Sequence, residues 1–275
     1  MRLAYHRITP VTPGPYIALL KENIDKAKRP GTLVDIKGPK RSIKVFQSVY
    51  RAFRFFNDHE VLESMWESYQ EGYEAIALNC FYDPCLDIAR EIMDIPIVGP
   101  AETSMLMASL MGAKFGIVTF HPKAVPDYEN MIKTYGFEKK ASAHPVRSLK
   151  QNFDEQMEGV THPQSTVEDF REIAKELIKD GAEVIIPGCL MLSPILVKSG
   201  VNEVEGAPVL DVVSIVIKFA EFMDEMLKAG LPIISRRGQY QGPDKNLVDE
   251  TRAIFGLESS QDSKRRRGIR HNDID

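Results

Sequence analysis

The chain has 275 residues, 43% of them hydrophobic and 27% charged, and its formal net charge is −4. This is the composition of a globular enzyme, and with a small negative net charge nothing indicates a nucleic-acid partner. No apolar run approaches the roughly 20 residues of a transmembrane helix, and the N-terminal MRLAYHRITP is too short and polar for a secretory signal, so we expect no membrane partner.

Short apolar segments alternate with helical patterns along the chain. Several of these segments are apolar throughout, which is typical of parallel strands covered on both faces. The alternation predicts an α/β fold with right-handed crossovers. The predicted strands are 2–8, 32–36, 75–79, 95–99, 115–120, 183–188 and 207–211.

Helix starts are indicated by side chains that can accept hydrogen bonds from free backbone N–H groups. A proline directly after such a residue strengthens the prediction. The predicted N-caps, in chain order, are Asp83 before Pro84, Ser165 in a capping box with Glu168, Ser193 before Pro194, and Asp211.

Two segments differ from this pattern. Segment 39–58 is dense in aromatic residues, for which core packing is the commoner fate, although a role as an interface or pocket lid stays open. Its aromatic residues are Phe46, Tyr50, Phe53, Phe55 and Phe56. Residues 256–275 are polar, with a basic run offset by nearby acidic residues, and we expect them to form a mobile tail.

A repeated segment places two of the three cysteines at matched positions. Residues 71–80 read EGYEAIALNC and residues 180–189 read DGAEVIIPGC, with the same spacing from glycine to cysteine. Each cysteine is followed by a short loop and a proline. The chain therefore reads as two copies of one α/β unit, and ligands of such units bind at the carboxyl ends of the strands. If the two lobes face each other, Cys80 and Cys189 meet across one cleft.

The cysteines admit several interpretations. A lone buried cysteine is usually inert packing, and Cys85, which has no counterpart in the second copy, is interpreted as structural or incidental. An odd number of cysteines argues against a disulfide framework and indicates a reducing, cytoplasmic compartment. The histidines are scattered and no zinc spacing is present, so we expect no metal.

Acid–base chemistry by two thiols is the third interpretation. Cys80 and Cys189 both precede a predicted helix start, and this position is expected to lower the thiol pKa. One thiolate could remove a proton from a carbon beside a carbonyl, and the opposite thiol could return a proton to the other face. Backbone N–H groups in the same loops could stabilise the enolate oxygen. Such a reaction inverts a stereocentre without a cofactor.

The cysteine motifs resemble the aspartate/glutamate/hydantoin racemase superfamily, and most closely its hydantoin and allantoin racemase branch. The resemblance covers roughly residues 1–230. The segments that carry it are Cys80-Phe81, Asp83-Pro84-Cys85-Leu86-Asp87, Pro96-Ile97-Val98-Gly99, Val118-Thr119-Phe120 and Gly188-Cys189-Leu190-Met191.

This resemblance implies two pseudo-symmetric, Rossmann-like parallel-sheet lobes with the active site between them. It implies a first lobe from 1–98 with 208–255 and a second from 99–207. It further implies that Cys80 and Cys189 are the catalytic bases, that no cofactor is needed, and that the partners are a small-molecule substrate and further copies of the chain. The residues implied to bind substrate are Phe81, Thr119, Phe120 and Leu190, with Pro10 and Val11 from the loop that closes the site.

The sequence departs from the family pattern in two places. The first loop reads Thr9-Pro10-Val11-Thr12 and lacks the amide expected there, which bears on hydantoin itself as substrate. The apolar residues beside both cysteines favour a cyclic or less polar substrate over a free amino acid. An amino-acid racemase, an isomerase or decarboxylase that uses one thiol, and a non-catalytic small-molecule-binding accessory protein stay open as alternatives.

Overall fold

The computed structural model describes residues 1–257, apart from the side chain of Lys245. Its strands are β1 (Arg2–His6), β2 (Leu33–Lys37), β3 (Ala75–Leu78), β4 (Ile97–Val98), β5 (Phe115–Thr119), β6 (Ala141–Ser148), β7 (Val184–Pro187), β8 (Glu203–Val204) and β9 (Ala207–Pro208). Its α-helices are α1 (Pro15–Ala27), α2 (Arg51–Gln70), α3 (Leu86–Ile92), α4 (Pro100–Met111), α5 (Val125–Thr134), α6 (Phe153–Glu158), α7 (Gln164–Lys179), α8 (Leu192–Lys198), α9 (Val212–Lys228) and α10 (Lys245–Ile254), with 3₁₀ helices at Val45–Val49, Pro122–Ala124 and Glu138–Lys140.

Two parallel sheets confirm the predicted two-lobed α/β class. The first has the strand order β2-β1-β3-β4 and the second has the order β6-β5-β7. The pairing of β1 with β3 in the first sheet matches that of β5 with β7 in the second. A parallel bridge between Ile185 and Val209 occupies the place that β4 takes beside β3. The two copies read from the sequence therefore fold into equivalent sheets.

The shared glycine and glutamate of the two copies have the same structural roles in each lobe. Gly72 (φ +79°) and Gly181 (φ +92°) both take a left-handed conformation just after a helix, which glycine adopts without steric cost. The Glu74 and Glu183 carboxylates accept backbone N–H hydrogen bonds near the starts of β1 and β5, over 2.5 and 2.7 Å. These hydrogen bonds hold the start of β3 beside β1 and the start of β7 near β5. They therefore help to position the two cysteines, which follow the ends of β3 and β7.

Two strand predictions need correction. Only Ala207–Pro208 of the predicted strand 207–211 is strand, and it pairs antiparallel with β8. The segment meets the second parallel sheet only through the bridge of Val209 to Ile185. The edge strand β6 was not predicted, because Pro145 and the charged residues around it do not read as a strand. The register between β5 and β6 shifts across this stretch, which is where an edge strand tolerates a proline.

The predicted N-cap at Asp211 is confirmed, and the other three are wrong. Asp211 accepts a hydrogen bond from the Ser214 N–H. The Asp83 carboxylate instead caps α4, so α3 begins at Leu86. Ser193 lies inside α8, where its hydroxyl accepts the Val212 N–H over 3.0 Å. Helix α7 begins without a side-chain cap, so the predicted capping box at Ser165 is absent.

The aromatic residues of segment 39–58 do not pack in the core. Their side chains are 43–74% exposed, because Ser48, Val49 and Asn57 take the inward positions of the 3₁₀ helix and of α2. The Phe46 ring lies 6.2 Å from the Phe153 ring on α6, so this segment spans from the first lobe to the second. The prediction of core packing was therefore wrong for this segment.

One hydrophobic core joins the two lobes. It contains Leu3 and Tyr5 of β1, Phe115 and Ile117 of β5, and the buried face of α9. The lobe boundaries given above stay a prediction. Of the predicted tail 256–275, residues 258–275 lie outside the part of the chain that the structure describes. None of the described helices combines the length and apolar character that a bilayer crossing requires.

Candidate active site

The two matched cysteines open onto one cavity. Cys80 lies two residues beyond β3 and Cys189 two residues beyond β7, at the carboxyl ends of equivalent strands. Both line the same cavity of about 220 Å³. The sequence therefore predicted correctly that these two thiols come together between the lobes.

Aromatic rings from both lobes form the walls of this cavity. The Tyr82 ring lies 5.1 Å from the Tyr128 ring and 6.4 Å from the Phe120 ring, and the Phe81 ring lies 5.2 Å from that of Tyr128. The Arg54 guanidinium stacks 3.9 Å from the centre of the Tyr82 ring. Such a cavity favours a planar or apolar ligand.

Two separate segments add four further residues to the lining of the cavity. Val45 and Ser48 come from the 3₁₀ helix of the first lobe, and Phe153 and Met157 come from α6 of the second. We name these four residues the cover. The aromatic segment that the sequence left unresolved therefore contributes directly to the cavity.

Burial dominates the electrostatics of both thiols. It raises the pKa of Cys80 to about 12, although the Tyr82 N–H partly opposes the rise. Burial also raises the pKa of Cys189, although hydrogen bonds from the N–H groups of Met191 and Leu192 partly oppose the rise. The expected lowering of both thiol pKa values was therefore wrong. Removal of water from an apolar cavity outweighs the few backbone dipoles that face each sulfur.

Asp83 anchors the loop that carries Cys80. Its carboxylate accepts the backbone N–H groups of Ala101 and Glu102, each over 3.0 Å, and the Tyr135 hydroxyl over 2.9 Å. A Cβ atom at Gly99 would lie only 2.5 Å from Asp83 Oδ2, so this position requires glycine. Burial raises the pKa of Asp83 to about 7. The loop is therefore tied to the N-terminus of α4, next to the second lobe.

The predicted substrate-binding residues divide into two groups. Phe81, Phe120 and Leu190 line the cavity. Thr119 is fully buried as the last residue of β5 and is not part of the lining. Pro10 and Val11 lie outside the lining, with Pro10 at an adjoining surface cleft.

Several polar residues of the lining were not predicted, among them Arg7, Tyr16 and Asn79. Asn79 directly precedes Cys80 in the repeated segment, which was the available signal. Nothing in the sequence distinguished Tyr16 from an ordinary helix residue. Within residues 1–257, no cluster of three His, Cys, Asp or Glu side chains could hold a metal ion.

Comparison with known proteins shows the family to which the chain belongs. The family model for Asp/Glu/Hydantoin racemase matches residues 18–220. The chain is similar to the hydantoin racemase of Pseudomonas sp. (strain NS671), with 28% identity over 87% of this chain and 92% of the relative. It is also similar to the hydantoin racemase of Paenarthrobacter aurescens, with 26% identity over 78% of this chain and 89% of the relative.

Solved structures share the fold. The allantoin racemase of Pseudomonas fluorescens superposes with a TM-score of 0.72 at 22% identity, covering 88% of this chain and 97% of that one. The allantoin racemase of Klebsiella pneumoniae gives 0.70 at 23% identity, covering 89% and 94%. The resemblance to the hydantoin and allantoin racemase branch is thereby confirmed. The chain belongs to the Asp/Glu/Hydantoin racemase family and is an isomerase of the racemase type.

Proposed function

We propose that this racemase inverts the C5 stereocentre of hydantoins that carry one apolar substituent, and that Cys80 and Cys189 are the two bases. One observation carries the proposal: the two thiols reach a single apolar cavity from equivalent loops of the two lobes. Two groups placed on opposite sides of one carbon are what a cofactor-independent inversion requires.

The chemistry follows from the acidity of C5–H, which lies beside the C4 carbonyl of the hydantoin ring. One cysteine, as the thiolate, takes the C5 proton, and the electron pair of the C–H bond moves into the carbonyl to give a planar enolate. The other cysteine, as the thiol, gives its proton to the opposite face of C5. The first sulfur ends protonated and the second ends as the thiolate. A thiolate of raised pKa is a stronger base toward a carbon acid, which suits the apolar setting of both sulfurs.

The walls of the cavity support an apolar substituent. Aromatic rings surround the space next to the thiols, and the cover adds Val45, Phe153 and Met157. Allantoin carries a polar ureido group at the same carbon, and burial of that group against aromatic faces has a desolvation cost that an apolar substituent does not have. The relatives named hydantoin racemase support the same choice.

A free amino acid fits less well. Its ammonium group requires a carboxylate partner, and no aspartate or glutamate is found among the residues that line this cavity. Arg7 is the charged side chain of the lining, and it suits an anionic or carbonyl group rather than an ammonium group.

Racemisation of L-5-benzylhydantoin, followed by circular dichroism, tests the proposal. We expect Cys80→Ser and Cys189→Ser each to lower the rate by about 10³-fold or more, toward the uncatalysed rate. Cys85→Ser is the matched control, because Cys85 lies outside the lining and its thiol contacts the Asp58 carbonyl oxygen. Full activity in either of the first two variants would contradict the two-thiol mechanism, and loss in only one would indicate a one-thiol reaction.

A further inference from the structure

The Tyr16 hydroxyl connects the loops that carry the two cysteines. Asn79 Nδ2, one residue before Cys80, donates a hydrogen bond to the Tyr16 oxygen over 3.1 Å. The Tyr16 hydroxyl in turn donates to the carbonyl oxygen of Leu190, one residue after Cys189, over 3.3 Å. Tyr16 lines the cavity together with both thiols. Its hydroxyl therefore lies between the neighbours of the two groups that would exchange protons with the substrate.

The available donors and acceptors fix the direction of these bonds. The Tyr5 hydroxyl donates to Asn79 Oδ1 over 3.1 Å, so the Asn79 amide presents its NH₂ group to Tyr16. The Tyr16 oxygen accepts that hydrogen, which leaves its own O–H to point at the Leu190 carbonyl or into the cavity. A length of 3.3 Å is long for an O–H···O bond, so the bond to Leu190 is weak and replaceable.

The ring of Tyr16 has a separate packing role. It packs with a small apolar cluster of Leu19, Val160 and Ile195, which joins α1 to the second lobe. The Arg7 guanidinium lies 5.3 Å from the centre of the ring. Burial raises the pKa of Tyr16 to about 12, although the hydrogen bond from Asn79 and the charge of Arg7 partly oppose the rise, so the hydroxyl keeps its proton at neutral pH. Removal of the hydroxyl alone would leave the ring packing intact.

We infer that Tyr16 is a catalytic residue whose O–H turns from the Leu190 carbonyl to the substrate carbonyl oxygen and stabilises the enolate during racemisation. The inference rests on the proposed function. When a thiolate removes the proton beside the carbonyl, negative charge develops on that oxygen, and a fixed donor in a dry cavity stabilises it most strongly at that moment. Asn79 holds the phenol oxygen in place, so little reorientation is needed. No proton is transferred from Tyr16.

Steady-state kinetics of Tyr16→Phe on L-5-benzylhydantoin test this role. Loss of one donor to a developing oxyanion is expected to lower kcat about 10²-fold. KM should change little, because the donor acts mainly on the charged intermediate. The rates at which iodoacetamide alkylates Cys80 and Cys189 should match those of the wild-type protein, because the loops keep their positions.

Tyr5→Phe is the matched control. Tyr5 belongs to the same hydrogen-bond chain and is fully buried, but it does not line the cavity. Its loss of kcat should stay below about tenfold, the effect of one neutral hydrogen bond.

Three results would overturn the inference. Unchanged kcat in Tyr16→Phe, or an equal loss in Tyr5→Phe, would overturn the role of Tyr16 and leave the proposed function standing. A wild-type protein that racemises no hydantoin would overturn both.

Discussion

The carboxylate of Asp83 accepts a hydrogen bond from the backbone N–H of Ala101 over 3.0 Å. This bond joins the loop of Cys80 to the first turn of α4, because the Asp83 N–H itself donates to the Cys80 carbonyl oxygen. A residue that would ordinarily cap its own helix thus caps a helix that begins seventeen positions later. The position of one thiol consequently depends on a contact remote in sequence.

Asp83→Ala should lower the free energy of unfolding by about 2 kcal/mol, the upper range for loss of an N-cap, because two backbone N–H groups lose their acceptor. Urea denaturation at pH 8 measures the change. Asp87→Ala is the control, since Asp87 is exposed at the start of α3 and accepts one hydrogen bond, from the Tyr240 hydroxyl, so its effect should stay below about 1 kcal/mol. Equal effects of the two substitutions would show that the cap contributes nothing.

The raised pKa of Asp83 predicts a pH dependence of stability. Burial moves this pKa from 3.8 to about 7. At a pH between these two values, the folded state therefore keeps a proton that the unfolded state has released. The associated stability is present below the unfolded pKa and is lost as the pH rises through 7. Burial also raises the pKa of Asp58, to about 6, with the same sign.

The free energy of unfolding of the wild-type protein should therefore fall between pH 5 and pH 8, and Asp83→Asn should reduce this fall. Urea titrations at several pH values provide the measurement. Parallel profiles for the two proteins would contradict the assignment to Asp83, and a stability that rises over this range would contradict the direction of the shift.

The thiol pKa values predict how the rate depends on pH. Because burial raises the pKa of Cys80 to about 12 and also raises that of Cys189, the thiolate fraction of the free enzyme is small at neutral pH. We expect kcat/KM to keep rising with pH from 7 to 10, after subtraction of the uncatalysed rate. A plateau that begins near pH 7 would indicate a thiol with a lowered pKa and would contradict the dominance of burial.

The cover predicts substrate selectivity. Phe153→Ala removes an apolar contact with a bulky substituent, so kcat/KM should fall about tenfold for 5-benzylhydantoin and much less for 5-methylhydantoin. Phe56→Ala is the control, because its ring is 68% exposed and lies outside the cavity lining. A similar loss for both substrates would show that Phe153 stabilises the fold instead of selecting the substituent.

The sequence predicted the features that depend on local pattern. The apolar runs that became β1, β3, β5 and β7 are buried on both faces, so they read clearly as strands. The duplication then placed Cys80 and Cys189 at equivalent strand ends, where a shared cleft follows from the topology.

The features that the sequence did not predict depend on tertiary contacts. The acceptor role of Asp83 toward α4 cannot be read from neighbours along the chain, and the same holds for the bridge that Tyr16 makes between Asn79 and Leu190. The direction of the thiol pKa shifts was misjudged because helix dipoles are local, whereas desolvation depends on the packing of both lobes around Cys80.

Deuterium incorporation during racemisation tests the central claim most directly. A single enantiomer of 5-benzylhydantoin is incubated with wild-type protein in D₂O, and both enantiomers are separated and analysed by NMR early in the reaction. Two opposed thiols predict that the newly formed enantiomer carries deuterium at C5 while the remaining starting enantiomer keeps its hydrogen. Deuterium that enters the starting enantiomer as fast as the product would contradict a mechanism in which Cys80 and Cys189 act from opposite faces.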